Sequence, residues 1–383
     1  MTAHELNEAA VLAALADFKD PETGRGVVEM GQVRDVRVDS GGGLRVDSGG
    51  GLRGDSGGGL RDGRKLSLTL ALTTHSAPLW RETQADCAEW LRQRLGQSID
   101  VAVKLAVHHR PPMKLGEIGL TAKSVIAVGS GKGGVGKSTI AASLAYGLKR
   151  SGCVVGLMDA DVYGPSIPHL LGINQRPEVV DRRFRAVELD GLKVMSMGFL
   201  VPAGEAVVWR GPMLHGAITQ FLRDTAWGEL DYLVIDMPPG TGDIALTLSQ
   251  LLPLTGAVVV CTPQDVALLD AVKAIAMFRK VNIHVLGMVE NMSYFLCPDN
   301  GKRYDIFGSG GAKRRAAELE IPFLGEVPIN IQIRVNGDEG RIAGNFEPSA
   351  GAAYFEAICH ALVKNLAVAH RAAPPLPSLT VLG

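Results

Sequence analysis

Residues 128–152 read VGSGKGGVGKSTIAASLAYGLKRSG, and the fold turns on how this stretch is read. Gly131, Gly136, Lys137 and Ser138 fit the spacing G-x-x-x-x-G-K-[ST], in which a glycine-rich turn leads from a strand into a helix. Both flanks are in place. The apolar run SVIAVGS at 124–130 predicts a buried strand, and Ile140, Leu144 and Leu148 form one stripe of a helix that Gly152 ends. Gly133, Gly134 and Gly136 free the backbone to turn its N–H groups toward phosphate oxygens, at a helix N-terminus whose dipole favours negative charge. Lys137 brings a point charge to the β- and γ-phosphates and Ser138 a magnesium ligand. The expected nucleotide cradle is Gly131, Lys132, Gly133, Gly134, Val135, Gly136, Lys137, Ser138 and Thr139.

Beyond the loop, short apolar strands alternate with longer helices. The strands are CVVGLMDAD (153–161), LKVMSMG (192–198), DYLVIDMP (231–238), GAVVVCTP (256–263), HVLGMVEN (284–291) and FLGEVPI (323–329). Runs that are apolar throughout are covered on both faces, so the expected class is α/β, a parallel sheet flanked by helices. A magnesium site beside a triphosphate needs a carboxylate at the end of a neighbouring strand, and Asp236 follows four apolar residues there. Asp243 opens the next helix, where an N-cap role competes. Asp159 and Asp161 end the strand after the loop helix, on the sheet edge where open α/β folds bind ligands, and one of them can orient an attacking water. Lys132 reads either as a surface lysine or as a charge reaching the phosphate of a facing subunit, as an arginine finger does.

Residues 1–107 have a different pattern. Helical spacing at 5–18, strand-like VVEMGQVRDVRV, KLSLTLALTT and IDVAVKLAV, and the helix APLWRETQADCAEWLRQRLG predict a small α+β domain. Inside it the octad RVDSGGGL recurs over 37–60, which reads as an expanded hairpin loop; a calcium-binding β-roll uses nonapeptides instead. Residues 108–120, with paired prolines, suit a linker, 121–370 the ATPase domain and 371–383 a proline-rich tail. The chain has 383 residues, 46% of them hydrophobic, and a net charge of -1, so no global excess of positive charge draws it to nucleic acid or anionic lipid. Five scattered cysteines argue against a disulfide framework. With no basic leader and no apolar run of about 20 residues, the expected location is cytoplasmic, with no membrane or nucleic-acid partner.

The stretches GKGGVGKST, MDADVYGPSIP, RGPM, WGELDYLVIDMPPGTGD, VENMSYF and DIFGSGGA together resemble the Mrp/ApbC branch of the deviant Walker A ATPases, whose wider relatives include MinD, ParA and the nitrogenase iron protein. DPETGRGVVEMGQVRDVRV resembles the MIP18-like domain that precedes the ATPase in bacterial members. The resemblance implies a homodimer holding ATP and magnesium between subunits, which carries or assembles iron-sulfur clusters for apo-proteins. By the same resemblance Lys132 acts across the dimer, Lys137 and Ser138 bind phosphate and magnesium, and Asp161 positions the water. Asp236 acts through magnesium, directly or through water, and Asn291 contacts the adenine.

Two positions depart from that pattern. Where many relatives have Cys-x-x-Cys, this chain has Cys297 and Asn300, and SAPLW at 76–80 lacks a reactive cysteine found in some MIP18-like relatives. A cluster usually takes four thiolates, and two copies of Cys297 supply half. Cys297 therefore reads either as a bridging ligand completed by other thiols or as an ordinary loop thiol. A nucleotide-switched assembly or positioning ATPase that carries no metal is the alternative function. Its membrane-acting form finds no basic amphipathic anchor here, since the last helical stretch offers only Lys364.

Overall fold

The structure, a computed structural model, describes residues 6–39, 64–200, 211–240, 242–348 and 351–372. Two compact units are present, one comprising residues up to Arg110 together with those from Ala367, the other Pro111–Leu366.

In the first unit Asn7 caps α1 (Glu8–Leu15), its side chain accepting the Ala10 N–H at 2.9 Å. β1 (Val33–Asp39) pairs antiparallel with β2 (Lys65–Leu72), which α2 (Trp80–Leu95) links to parallel β3 (Asp100–Val107). The alternation in KLSLTLAL puts Leu66, Leu68, Leu70 and Leu72 on one face, where all four are buried with Val11, Leu15 and Leu91. The octad repeat lies outside the described residues beyond Asp39, but the strands on either side pair, with Asp39 opposite Lys65. Cutting out residues 45–60 is thus expected to leave folding intact, since a shorter loop changes closure entropy by about 1 kcal/mol or less. A fall of many degrees in melting temperature on thermal unfolding would show the repeat to be packed structure.

The second unit begins with β4 (Lys114–Leu115), which pairs antiparallel with β5 (Leu120–Gly129). Part of the segment read as a linker is therefore sheet. The chain continues through α3 (Lys137–Arg150), β6 (Val155–Asp159), α4 (Ile167–Leu170), the hairpin β7 (Glu178–Val180) and β8 (Arg183–Arg185), β9 (Val187–Leu189) and β10 (Leu192–Ser196). Then come α5 (Gly211–Arg223), β11 (Leu230–Asp236), α6 (Gly242–Leu251), β12 (Gly256–Cys261) and α7 (Asp265–Lys280). The last elements are β13 (Val285–Leu296), β14 (Arg303–Tyr304), α8 (Gly311–Glu318), β15 (Phe323–Ile329), α9 (Ile331–Asp338) and α10 (Ala352–Ala372).

Strands β10, β6, β11, β5, β12, β13 and β15 lie side by side and parallel, as their unbroken apolar character requires. β9 and β14 add antiparallel edges. Valines and isoleucines of β5, β11 and β12 are fully buried, with Trp227, Phe221 and Phe278 packed over them. The sequence reading of β13 stopped at Asn291; the strand continues to Leu296, because SYFL pairs with β15 and turns back into β14. Among the described residues no helix is long and apolar enough to cross a membrane.

Candidate functional site: a phosphate loop over buried carboxylates

β5, β6 and β11 end together, and the loop of residues 130–136 joins β5 to α3 above them. Gly134 and Gly136 both have φ 79°, a left-handed backbone that suits glycine. At Gly136 a Cβ would stand 2.2 Å from Asn291 Nδ2, and at Gly131 one would stand 2.1 Å from the Asp270 backbone. Glycine is thus required at both by close approach. Lys132, Gly133, Gly134, Gly136, Lys137, Ser138 and Thr139 line a cavity of about 300 Å3, together with Asp161 and Pro239. Val135 is buried and points away from it, and Gly131 backs onto α7.

Lys137 is buried among acidic side chains. Its Nζ lies 2.5 Å from Asp236 Oδ1, 3.2 Å from Ser138 Oγ and 3.7 Å from Asp161 Oδ2. Asp236 is fully buried and its Oδ2 has no hydrogen-bond donor among the described residues. Burial pushes its carboxyl up, against the pull of the Lys137 ammonium. An orphaned carboxylate oxygen close to a serine hydroxyl at a phosphate loop is a fitting donor set for a hard divalent cation. Among the described residues no group of three or more His, Cys, Asp or Glu side chains is placed to hold a metal by itself. Magnesium there would take phosphate oxygens as well.

The structure separates the two aspartates that the sequence left equivalent. Asp159 Oδ1 accepts the Asp161 N–H at 3.0 Å, and Oδ2 accepts the Ile167 N–H at 3.2 Å and the Ser196 hydroxyl at 2.9 Å. Burial first, and repulsion from Asp236 second, push its pKa up to about 8. Asp159 therefore ties the loop after β6 to the sheet. Asp161 lines the cavity, and its Oδ1 accepts the Tyr163 and Gly164 N–H groups at 3.3 and 3.1 Å. The side chain of Asp243 lies outside the described residues.

Asn291 sits behind the loop. Its Nδ2 donates to the Val135 carbonyl at 2.9 Å, so the amide braces the phosphate loop. Beside it Glu290, fully buried, accepts the Ala312 N–H at 2.7 Å and the Gly310 N–H at 3.2 Å, capping α8 from another strand. Glu290 escaped the sequence reading, although a carboxylate inside an apolar strand was the available signal. Cys297 lies elsewhere, half-buried at the start of the turn joining β13 to β14. Its N–H donates to the Lys302 carbonyl, and Asn300 Oδ1 accepts the Lys302 N–H at 2.9 Å. In the first unit Ser76 is buried and donates to the Thr73 carbonyl at 3.0 Å.

The comparisons with known proteins agree with this geometry. The family described as ParA, NUBPL iron-transfer P-loop NTPase, matches residues 121–363, and one described as iron-sulfur cluster assembly protein matches residues 8–47. The iron-sulfur cluster carrier protein of Deinococcus radiodurans is 44% identical over 346 residues, 90% of this chain and 91% of that one. The protein of the same name from Escherichia coli K12 is 48% identical over 73% of this chain and 76% of its own. A solved nucleotide-binding protein from Archaeoglobus fulgidus, in complex with ADP, superposes with a TM-score of 0.53 at 44% identity, covering 60% of this chain and 90% of that one. With a phosphate loop, a buried lysine and strand-end carboxylates in the matched segment, the chain belongs to the NUBPL iron-transfer family of P-loop NTPases.

Proposed function

We propose that this chain is an ATP-hydrolysing carrier or assembly factor for iron-sulfur clusters, working as a homodimer that passes clusters to apo-proteins. The observation that carries the reading is Lys137, held at the edge of the phosphate loop by Asp236 and Asp161 in a chain whose relatives are named cluster carriers. The loop N–H groups and Lys137 bind the phosphates, and Asn291 supports the loop while its amide oxygen is left for the adenine. Ser138 and Asp236 would hold magnesium, which would supply positive charge to the phosphates. Asp161 orients the attacking water from the cavity wall. Lys132, for which no ion pair is found among the described residues, faces the phosphate of the second subunit.

Two substitutions separate these roles. Asp161→Asn removes water orientation and keeps the phosphate contacts, so turnover should fall by about 100-fold while MgATP affinity stays within a few-fold. Lost binding would make Asp161 the metal ligand and exchange its role with that of Asp236. Lys132→Ala should likewise bind nucleotide and lose hydrolysis. Unchanged turnover would reduce it to a surface lysine.

The cluster is the cargo, and its seat is proposed at Cys297. Two copies at the dimer axis supply two thiolates, with the remaining positions taken by exogenous thiol or a recipient. Asn300 is a poor ligand, since its oxygen already serves the turn and a neutral amide suits soft iron badly. That observation also favours the second reading, a nucleotide switch that handles no metal. Anaerobic reconstitution with iron and sulfide, followed by metal counting and transfer to an apo-ferredoxin, decides between them. Wild type should hold a labile cluster, Cys297→Ser should lose it with ATPase activity retained, and Asn300→Cys should hold it more tightly. Equal iron content in all three proteins would sink the Cys297 seat and leave the metal-free switch.

A further inference from the structure

A defect in the sheet links the phosphate loop to the one accessible thiol. β13 pairs with β15 at Asn291 opposite Val327 and next at Phe295 opposite Ile329, so the strand carries a bulge between these points. Within the bulge Met292 has φ 54°, a left-handed backbone that a non-glycine residue keeps only where neighbours enforce it. The neighbours are named. Asn291 Nδ2 donates to the Val135 carbonyl of the phosphate loop at 2.9 Å, and Ser293 Oγ lies 2.5 Å from Glu290 Oε1 and 3.0 Å from Glu326 Oε2. The single Ser293 hydroxyl is thus within hydrogen-bonding distance of two glutamate side chains. Glu290 anchors α8, whereas Glu326 lies 3.6 Å from Arg303 Nη1 of β14. Arg303 stacks on the Tyr294 ring at 3.9 Å and pairs across the hairpin with Leu296, the neighbour of Cys297.

We propose that this bulge couples occupancy of the phosphate loop to the exposure of Cys297, with Asn291, Met292 and Ser293 as positioning residues. A shift of the Val135 carbonyl moves Asn291, the bulge tightens or relaxes, and the Ser293 hydroxyl turns its hydrogen bond between Glu290 and Glu326. The β13–β14 hairpin, about 15 Å farther along the strand, then shifts with it. The inference rests on the nucleotide site of the proposed function and not on cluster carriage.

Cys87, Cys153, Cys261 and Cys359 are buried, so alkylation of the native, iron-free, full-length chain reports on Cys297. The measurement is the iodoacetamide labelling rate with and without a non-hydrolysable ATP analogue and magnesium, with Cys297→Ser as the blank. A coupling of ordinary size predicts that the analogue changes the wild-type rate by about fivefold or more. Ser293→Ala and Met292→Gly should still bind the analogue and lose most of that response. Glycine adopts the φ of Met292 without strain, so this variant tests the bulge even if Ser293→Ala folds poorly. A wild-type rate indifferent to bound analogue overturns the proposal. So does a full response in Met292→Gly, which would come from subunits associating over Cys297. Failure of the wild type to bind the analogue would overturn the nucleotide site itself, and iron content bears on neither outcome.

Discussion

Lys137→Ala is expected to abolish measurable ATP binding, by isothermal titration, at concentrations that saturate the wild type. A hydrogen bond to a charged group contributes about 1.5–3 kcal/mol, roughly 10- to 150-fold in affinity, and here more is lost than the contact. Lys137 is the cation between Asp236 and Asp161, so without it the phosphates meet two carboxylates that no side-chain cation offsets. The same substitution should make stability depend on pH. Burial already pushes Asp236 up, and the Lys137 ammonium opposes it most, ahead of the Ser138 hydroxyl, so in the variant the folded state holds a proton that the unfolded carboxyl, near pKa 4, releases. Because the folded state then binds more protons than the unfolded, unfolding free energy falls as pH rises above about 4. Urea unfolding at pH 5.5 and 8 should show this slope to be steeper than in the wild type. Wild-type affinity in Lys137→Ala would remove the nucleotide assignment.

Glu290→Ala should be strongly destabilising although it removes no apolar core. It strips acceptors from the Gly310 and Ala312 N–H groups and from Ser293, all held by a side chain with no exposure. Each buried donor left unsatisfied costs about 1–3 kcal/mol, so the sum is on the order of 4 kcal/mol. For a unit of this size that is a fall of roughly 10 °C in Tm. Glu290→Gln keeps one acceptor and should lose about half as much. A loss under about 1 kcal/mol for the alanine variant would mean that water replaces the carboxylate.

Local periodicity made most of the fold legible. The loop, the strand before it and the helix after it are contiguous, so backbone freedom and side-chain period display them within 25 residues. The same holds for β2, whose alternating leucines announce a half-buried strand. The pairing of β1 with β2 across the glycine octads also accords with the pattern on either side.

What the sequence by itself determined is the α/β class, the glycine cradle and the set of charged residues around it, because each depends on neighbours a few positions away. Tertiary structure alone decided which partners each of those residues has. Asp159 and Asp161 are alike in sequence, but Ser196, 37 residues on, and the Ile167 N–H satisfy only the first, which leaves the second facing the cavity. Asn291 reaches the Val135 carbonyl across 156 residues, and Glu290 reaches α8 from the far side of the hairpin. SYFL carries strand-favouring Tyr294 and Phe295, but Asn291 and Met292 interrupt the pattern before it, and its partners on β14 and β15 make it a strand. Hydrogen-bond partners distant in the chain are brought together by sheet order, and sheet order is a property of the packed whole.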